Sequence, residues 1–328
     1  MRNHMKVVYA SNDHYVRHMG TSMYSLFDRN RDAQAITVYV LSVNLSEENK
    51  EKLQVIARKF GRDMVMIEIG NVHDRFDYEI NTGGFDISTM SRLFMGELLP
   101  GETDRVLYLD CDTVVLQSLK HLWNTDLGNC IVGAVMEPTI YPVVKEAIDL
   151  KKQDPYFNAG VLLVDLEQWR AEGIQEKLVS FHKEKGGCLF ANDQDTINGV
   201  LKGRIKPLMP RYNFFTNYRY FSYGELVSLS ETYREVPKKE LELAKKHPFI
   251  VHYMGDERPW VAGNWNHYRR AYEQYLNQTP WRGFPKETGK KLYMAAYHAM
   301  NYLTAVCPKA RRMISRRFGM NVVNARKH

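Results

Sequence analysis

The residues best suited to chemistry lie in V-L-Y-L-D-C-D-T, Val106 to Thr113, where an apolar run ends in two carboxylates separated by one residue. In an extended chain residues i and i+2 face the same side, so Asp110 and Asp112 can approach one cation. A hard divalent ion such as Mn²⁺ or Mg²⁺ prefers such oxygens and keeps coordination positions for phosphate, which is what a nucleoside diphosphate requires. The bare tripeptide also serves as a polar turn after a strand, so its meaning depends on company. H-Y-M-G-D-E-R-P-W, His252 to Trp260, supplies it. There His252 offers an imidazole for a metal such as Mn²⁺, Gly255 permits close backbone approach, and Arg258 can fork onto phosphate oxygens. A lone histidine is more often a packed or surface side chain than a ligand. Two further clusters, F-N-A-G-V-L-L-V-D (Phe157 to Asp165) and N-D-Q-D (Asn192 to Asp195), carry planar polar groups of the kind that bind sugar hydroxyls. Helix N-capping is the alternative for Asp193 and Asp195.

Three of the clusters adjoin apolar runs that read as strands, and N-D-Q-D heads the helix-like segment Thr196 to Leu201. Strands are expected at Val7 to Ala10, Ile36 to Leu41, Met64 to Ile69, Arg105 to Leu109, Ile131 to Val135, Gly160 to Val164 and Phe249 to Tyr253. Between the first three lie helical patterns. Tyr15, Met19, Met23, Leu26 and Phe27 share a face in His14 to Phe27, with Ser11, Asn12 and Asp13 as capping chemistry, and Ser46 to Phe60 repeats the pattern. Ile87 to Leu98 is expected to be a helix, and Arg211 to Tyr223 a stretch of loops and short helices lining a binding face. Alternation of strand and helix predicts an α/β fold with a mainly parallel sheet and its ligand at the carboxyl ends of the strands.

Composition narrows the function classes. The chain has 328 residues, 44% of them hydrophobic, as expected of a packed globular protein. No apolar run reaches the roughly 18 residues of a spanning helix, and the start lacks a signal peptide, so a cytoplasmic location is expected. Cys111, Cys130, Cys188 and Cys307 show no C-x-x-C spacing and read as reduced thiols. The formal charge of +7 is concentrated at one end, because Trp281 to His328 holds eleven Lys or Arg and one Glu. The rest is slightly acidic, which argues against nucleic acid as the partner of the main body. Neither G-x-G-x-x-G after the first strand nor G-x-x-x-x-G-K-[ST] occurs, which removes support for dinucleotide-binding and P-loop readings.

Taken together, Y-A-S-N-D, L-Y-L-D-C-D, Y-F-N-A-G-V-L-L, N-D-Q-D and H-Y-M-G-x-x-R-P-W resemble, in order and spacing, the family 8 retaining glycosyltransferases. That group includes bacterial lipopolysaccharide galactosyl- and glucosyltransferases and, more distantly, the glycogenins. The likeness covers approximately Met5 to His267 and implies a GT-A fold that transfers galactose or glucose from UDP-galactose or UDP-glucose to a glycan or glycolipid acceptor. It implies Mn²⁺, or Mg²⁺, held by Asp110, Asp112 and His252. Ala10, Asn12 and Tyr15 match the uridine-contacting part, with Tyr15 stacked on uracil. Arg92, Asn158, Asp193 and Gln194 match positions near the diphosphate and the transferred hexose, and Gly255 and Arg258 match positions that grip the diphosphate. Gln194 falls nearest the expected nucleophile; an amide is a poor one, which favours front-face retention over double displacement. Asn12 stands where many relatives carry aspartate, Arg258 replaces the commoner lysine, and Cys111 sits between two ligands.

The likeness divides the chain into a catalytic domain, 1–280, and a basic amphipathic extension, 281–328. In the extension Leu292, Ala295, Ala296, Ala299 and Leu303 follow helical spacing, and Arg311, Arg312, Arg316 and Arg317 follow Pro308. Such a segment is expected to hold the protein on an anionic membrane surface, beside a lipid-linked or polysaccharide acceptor at the inner face of the cell membrane. Truncation after Gln278 is expected to abolish that association and to spare donor hydrolysis. The competing readings are a catalytically silent sugar-nucleotide binder on the same fold and a nucleic-acid or membrane adaptor acting through the tail.

Overall fold

A computed structural model of the chain describes residues 2–305, together with 310 and 313. Ten strands form two sheets: β1 His4–Ser11, β2 Ala35–Ser42, β3 Asp63–Glu68, β4 Arg105–Leu109, β5 Thr113–Val115, β6 Val132–Val135, β7 Val161–Asp165, β8 Ile205–Leu208, β9 Phe214–Phe215 and β10 Ile250–His252. Seven lie in the order β3-β2-β1-β4-β7-β6-β8, and β5-β10-β9 make a small second sheet. The first four neighbours pair in parallel, β7 runs antiparallel to both β4 and β6, and β6 and β8 are parallel. The mixed, mainly parallel α/β architecture expected from the sequence is therefore present.

This topology gathers the clusters at one edge. After β1 the chain proceeds outward to β2 and β3, then returns to the other side of β1 with β4, so the strand order reverses between them. Ligands of open α/β sheets bind at such a reversal, beyond the carboxyl ends of the strands. Because β7 is antiparallel to β4, its amino end shares that edge, and Asp110 N donates to Gly160 O at 2.8 Å. The Asn158–Ala159–Gly160 segment thus enters β7 directly opposite the end of β4.

Most expected elements are found with shifts of one or two residues, and the exceptions have local causes. Ile87–Phe94 winds as a 3₁₀ helix, and only Met95–Leu98 is α-helical. Asp86 caps it by accepting from Ser88 N at 2.9 Å, and the Arg92 Nε closes on the Thr89 carbonyl at 3.0 Å. At the first helix, Val16–Arg29, Asn12 Oδ1 accepts from His14 N and Tyr15 N at 3.0 and 3.3 Å, whereas Asp13 reaches across to Ser46 N at 2.9 Å. Its Met19, Met23, Leu26 and Phe27 are fully buried, as the helical spacing requires. The Asn192–Val200 helix begins one turn earlier than its apolar pattern, with Ala191 as N-cap, so Asp193 and Asp195 lie in the first turn and are not N-caps.

The segment 281–305 packs onto the body. Trp281 lies against Gly20, where any Cβ would collide with the indole, and Arg17 pairs with Glu287 at 2.9 Å. Ala262 N and Glu287 N donate to Glu287 O and Trp260 O at 2.8 and 2.9 Å. The helix Lys291–Ala305 follows. Arg311, Arg312, Arg316 and Arg317 lie outside the described residues, as does Cys307; Cys111 and Cys130 are free thiols.

Candidate active site

Asp110 and Asp112 sit in the turn that carries the chain from β4 into β5, from the large sheet to the small one. The turn, in place of a strand's alternation, brings their carboxylates to one side, while Cys111 directs its thiol to the Ala10 carbonyl at 3.2 Å. β10 pairs antiparallel with β5, matching His252 to Thr113, and this register delivers the imidazole to the turn. His252 Nε2 lies 3.1 Å from Asp112 Oδ1 and 3.8 Å from Asp110 Oδ2. One donor atom from each of the three residues falls within 4.8 Å of the others. Two carboxylate oxygens and a neutral imidazole suit Mn²⁺ or Mg²⁺. Gly160 shapes the same spot, since a Cβ there would come within 2.8 Å of both Asp110 Oδ2 and His252 Nδ1.

These groups border a cavity of about 450 Å³, the size of a small-ligand site. Ala10, Tyr15, Arg92, Asn158, Asp193, Gln194, Gly255 and Arg258 also line it, so the structure assembles all but one of the residues singled out by sequence. The exception is Asn12, whose amide donates to Asp86 Oδ2 at 2.6 Å beside the cavity. Gly255 has φ +65°, which only glycine adopts freely. Arg258 follows in the same loop, its buried Nε without a partner among the described residues, as suits a group awaiting an anion.

Arg92 is 2% exposed and ties the two halves of the site together. Its guanidinium donates to Asp110 Oδ1 at 2.7 Å and to Ala159 O at 2.5 Å, and lies 3.0 Å from Asp193 Oδ2. Burial works against its charge, but Asp110 and Asp193 outweigh it and hold the cation firmly. Burial lifts the Asp193 carboxyl to about 6, with Arg92 opposing and Asp110 adding to the rise. Burial also acts to raise Asp112, but the His252 and Arg258 charges prevail and keep it ionised; in turn its carboxylate raises the His252 imidazole against burial.

Glu137, Tyr156 and Asn213 were not visible in the sequence as site residues. Glu137 lines the cavity just past β6, whose carboxyl end meets the same edge as that of β4; a carboxylate after an apolar run was the available signal. Its Oε2 accepts from Asn158 Nδ2 and Gln194 Nε2 at 3.0 and 3.1 Å, and burial raises its pKa although those donors oppose the rise. Gln194 Oε1 is engaged by Asn158 Nδ2 and Ala159 N at 2.9 and 3.0 Å. Phe85, Ile140, Tyr141 and Phe190 add an apolar side to the cavity.

General stress protein A of Bacillus subtilis (strain 168) is 27% identical over 280 residues, covering 84% of this chain and 94% of the relative. Lipopolysaccharide 1,2-glucosyltransferase of Escherichia coli (strain K12) is 25% identical over 282 residues, 85% of this chain and 79% of the relative. The crystal structure of galactosyltransferase LgtC in complex with donor and acceptor sugar analogs aligns with TM-score 0.72 and 27% identity, covering 84% of this chain and 96% of LgtC. The fold is thus of the GT-A type expected. A model of the family described as glycosyl transferase family 8 matches residues 6–263, which hold all the cavity-lining residues named above, and the chain belongs to that family.

Proposed function

We propose that the protein is a retaining hexosyltransferase that moves galactose or glucose from a UDP-sugar to a glycan or glycolipid acceptor with a divalent cation, Mn²⁺ in preference to Mg²⁺. The observation that carries this reading is the convergence of Asp110, Asp112 and His252 within 4.8 Å at the strand-order reversal. Tyr15 supplies a ring face for uracil, Ala10 its backbone, and Asn12 steadies the turn beneath both. Gly255 and Arg258 face the diphosphate, and Arg258 stabilises the charge that grows as UDP departs. When bound, the cation supplies Lewis-acid stabilisation to the same leaving group.

Glu137, Asn158, Asp193 and Gln194 form the polar wall for the hexose, with Arg92 holding Asp110 and Asp193 in position. Gln194 Oε1 already accepts two hydrogen bonds, which further disfavours it as a nucleophile. The bond from the anomeric carbon to the β-phosphate oxygen therefore breaks, and the acceptor oxygen attacks, on one face of the sugar. The acceptor proton passes to a donor phosphate oxygen. We place catalysis within 1–280 and propose that the basic residues of the 281–328 extension touch an anionic membrane surface on the cytoplasmic side. Among the described residues no helix is long and apolar enough to cross a membrane.

The test is UDP release from a panel of UDP-hexoses with Mn²⁺. Asp110→Asn, Asp112→Asn and His252→Ala should each lower turnover by about two orders of magnitude or more with circular dichroism unchanged. Full activity in EDTA would end the reading. Proton NMR of the first product from an α-linked donor should show an α-linkage, and a β-linkage would reject retention.

A further inference from the structure

Taking Asp110, Asp112 and His252 as the cation's ligands, we infer that Asn213 is a positioning residue that fixes the tautomer of His252, with its own orientation dictated by the Gly160 backbone through Asn158. His252 is 3% exposed, its Nδ1 lies 2.9 Å from Asn213 Oδ1, and its Nε2 faces the two aspartates. An amide can present either its oxygen or its nitrogen, and which end meets Nδ1 decides which ring nitrogen keeps a lone pair.

A donor that cannot reverse settles the choice. Gly160 N donates to Asn158 Oδ1 at 2.9 Å, so Asn158 turns its nitrogen the other way, toward Glu137 Oε2 and Gln194 Oε1. Asn158 Oδ1 then accepts a second bond, from Asn213 Nδ2 at 2.8 Å. That leaves Asn213 Oδ1 against the imidazole, so Nδ1 carries a proton, and Nε2, on the side of Asp110 and Asp112, is the nitrogen left to offer its lone pair to a cation. Turning Asn213 around would set its oxygen against that of Asn158. Asn158 is 4% exposed and Asn213 0%, so water cannot relieve such a clash of acceptors.

The same segment organises both arms of the site. Ala159 N donates to Gln194 Oε1 at 3.0 Å, which turns Gln194 Nε2 to Glu137 and to the Tyr156 hydroxyl at 3.1 and 3.0 Å. Gly160 contributes its carbonyl to Asp110 N and, lacking a Cβ, leaves room for the imidazole. Asn158 therefore belongs to the sugar arm and the metal arm, whereas Asn213 belongs to the metal arm alone. Partners that orient a ligating imidazole in this way alter metal affinity about 10- to 100-fold when removed.

The test uses the full chain. In ¹⁵N-histidine-labelled protein, His252, assigned through the His252→Gln variant, should carry a proton on Nδ1 in the metal-free state and keep it there, with Nε2 unprotonated, when Mg²⁺ and UDP are bound. The opposite tautomer in the unaltered protein overturns the inference, whether or not any variant folds. In Asn213→Leu the Nε2-protonated form should become populated. Mn²⁺ binding with UDP present, followed by electron paramagnetic resonance, should weaken about 10- to 100-fold. Unchanged affinity and tautomer in folded Asn213→Leu also overturn it. If the unaltered protein binds no Mn²⁺ with UDP present, the assignment of the metal ligands fails instead, and the tautomer measurement still reads the hydrogen-bond relay.

Discussion

At the scale of single residues, the site depends on side chains whose neighbours leave little freedom. Gly160 has negative φ and no backbone strain to relieve; its glycine is required because His252 and Asp110 occupy the space of a Cβ. Gly160→Ala should push the imidazole away, and displacements near 1 Å cost on the order of 100-fold in rate, so turnover should fall by about that factor while urea unfolding remains cooperative. A second prediction concerns Asp195, fully buried, which accepts from Ala191 N at 2.8 Å and the Tyr156 hydroxyl at 2.5 Å. Burial raises its carboxyl to about 7, despite those two donors. Between the ordinary carboxylate range and about 7, the unfolded chain has released this proton and the folded chain still holds it. The folded state then binds more protons, so stability falls as pH rises through that window and levels off above it. Asp195→Asn should remove this part of the slope, worth on the order of 3 kcal/mol between pH 4.5 and 7.5. Asp193, raised to about 6, contributes in the same direction and persists in the variant. Equal slopes for the two proteins in urea titrations would refute the assignment.

Among the elements, the helix Lys291–Ala305 changes what a truncation should do. It braces the loop that carries Arg258: Tyr293 donates to Asp256 Oδ2 at 2.8 Å, Tyr297 to Glu257 Oε1 at 3.0 Å, and Trp265 N to His298 Nε2 at 2.9 Å. Glu257 is 2% exposed and takes a further bond from Asn266 Nδ2 at 2.8 Å. Trp281 and Met294 are buried against the body, and removing one large buried side chain costs about 3–5 kcal/mol. Cutting after Gln278, expected from the sequence to spare donor hydrolysis, should therefore destabilise the protein and weaken donor binding. Cutting after Ala305 should leave UDP-sugar hydrolysis within about twofold, since every contact named here is retained. A KM for the donor that is unaltered by the shorter truncation product would show that the helix does not brace the loop.

Over the whole molecule, positive charge is concentrated at the C-terminal end of the chain. The tail carries the positive excess, and Trp265, Leu292, Tyr302 and Leu303 are exposed near its root at 52, 89, 58 and 72%. A basic segment rooted in exposed apolar side chains suits an anionic bilayer, where each cation contributes about 1 kcal/mol. The full chain should sediment with anionic vesicles at low salt and detach as salt rises, and the protein cut after Ala305 should bind much more weakly. Equal binding by both would remove the tail from the explanation.

What the sequence determined by itself is the part encoded locally. The spacing of apolar residues located the long strands and the first two helices, and Arg105–Leu109 is a strand over the range its apolar run indicated. The carboxylates, the imidazole and the amide motifs were legible because each follows or precedes such a run, where a residue type and a short spacing carry the information. Tertiary structure decided the rest. β5 and β9 have three and two residues, too few for any period, yet they flank β10 and place His252. Asn213 and Glu137 acquire meaning only through partners far away in the chain, His252 and Gln194, which hydrogen bonding brings together across the fold. Likewise the directions of the Asn158, Asn213 and Gln194 amides depend on two backbone N–H groups, of Ala159 and Gly160, at the entrance to β7. Such orientation is a property of buried donors and acceptors matched in three dimensions.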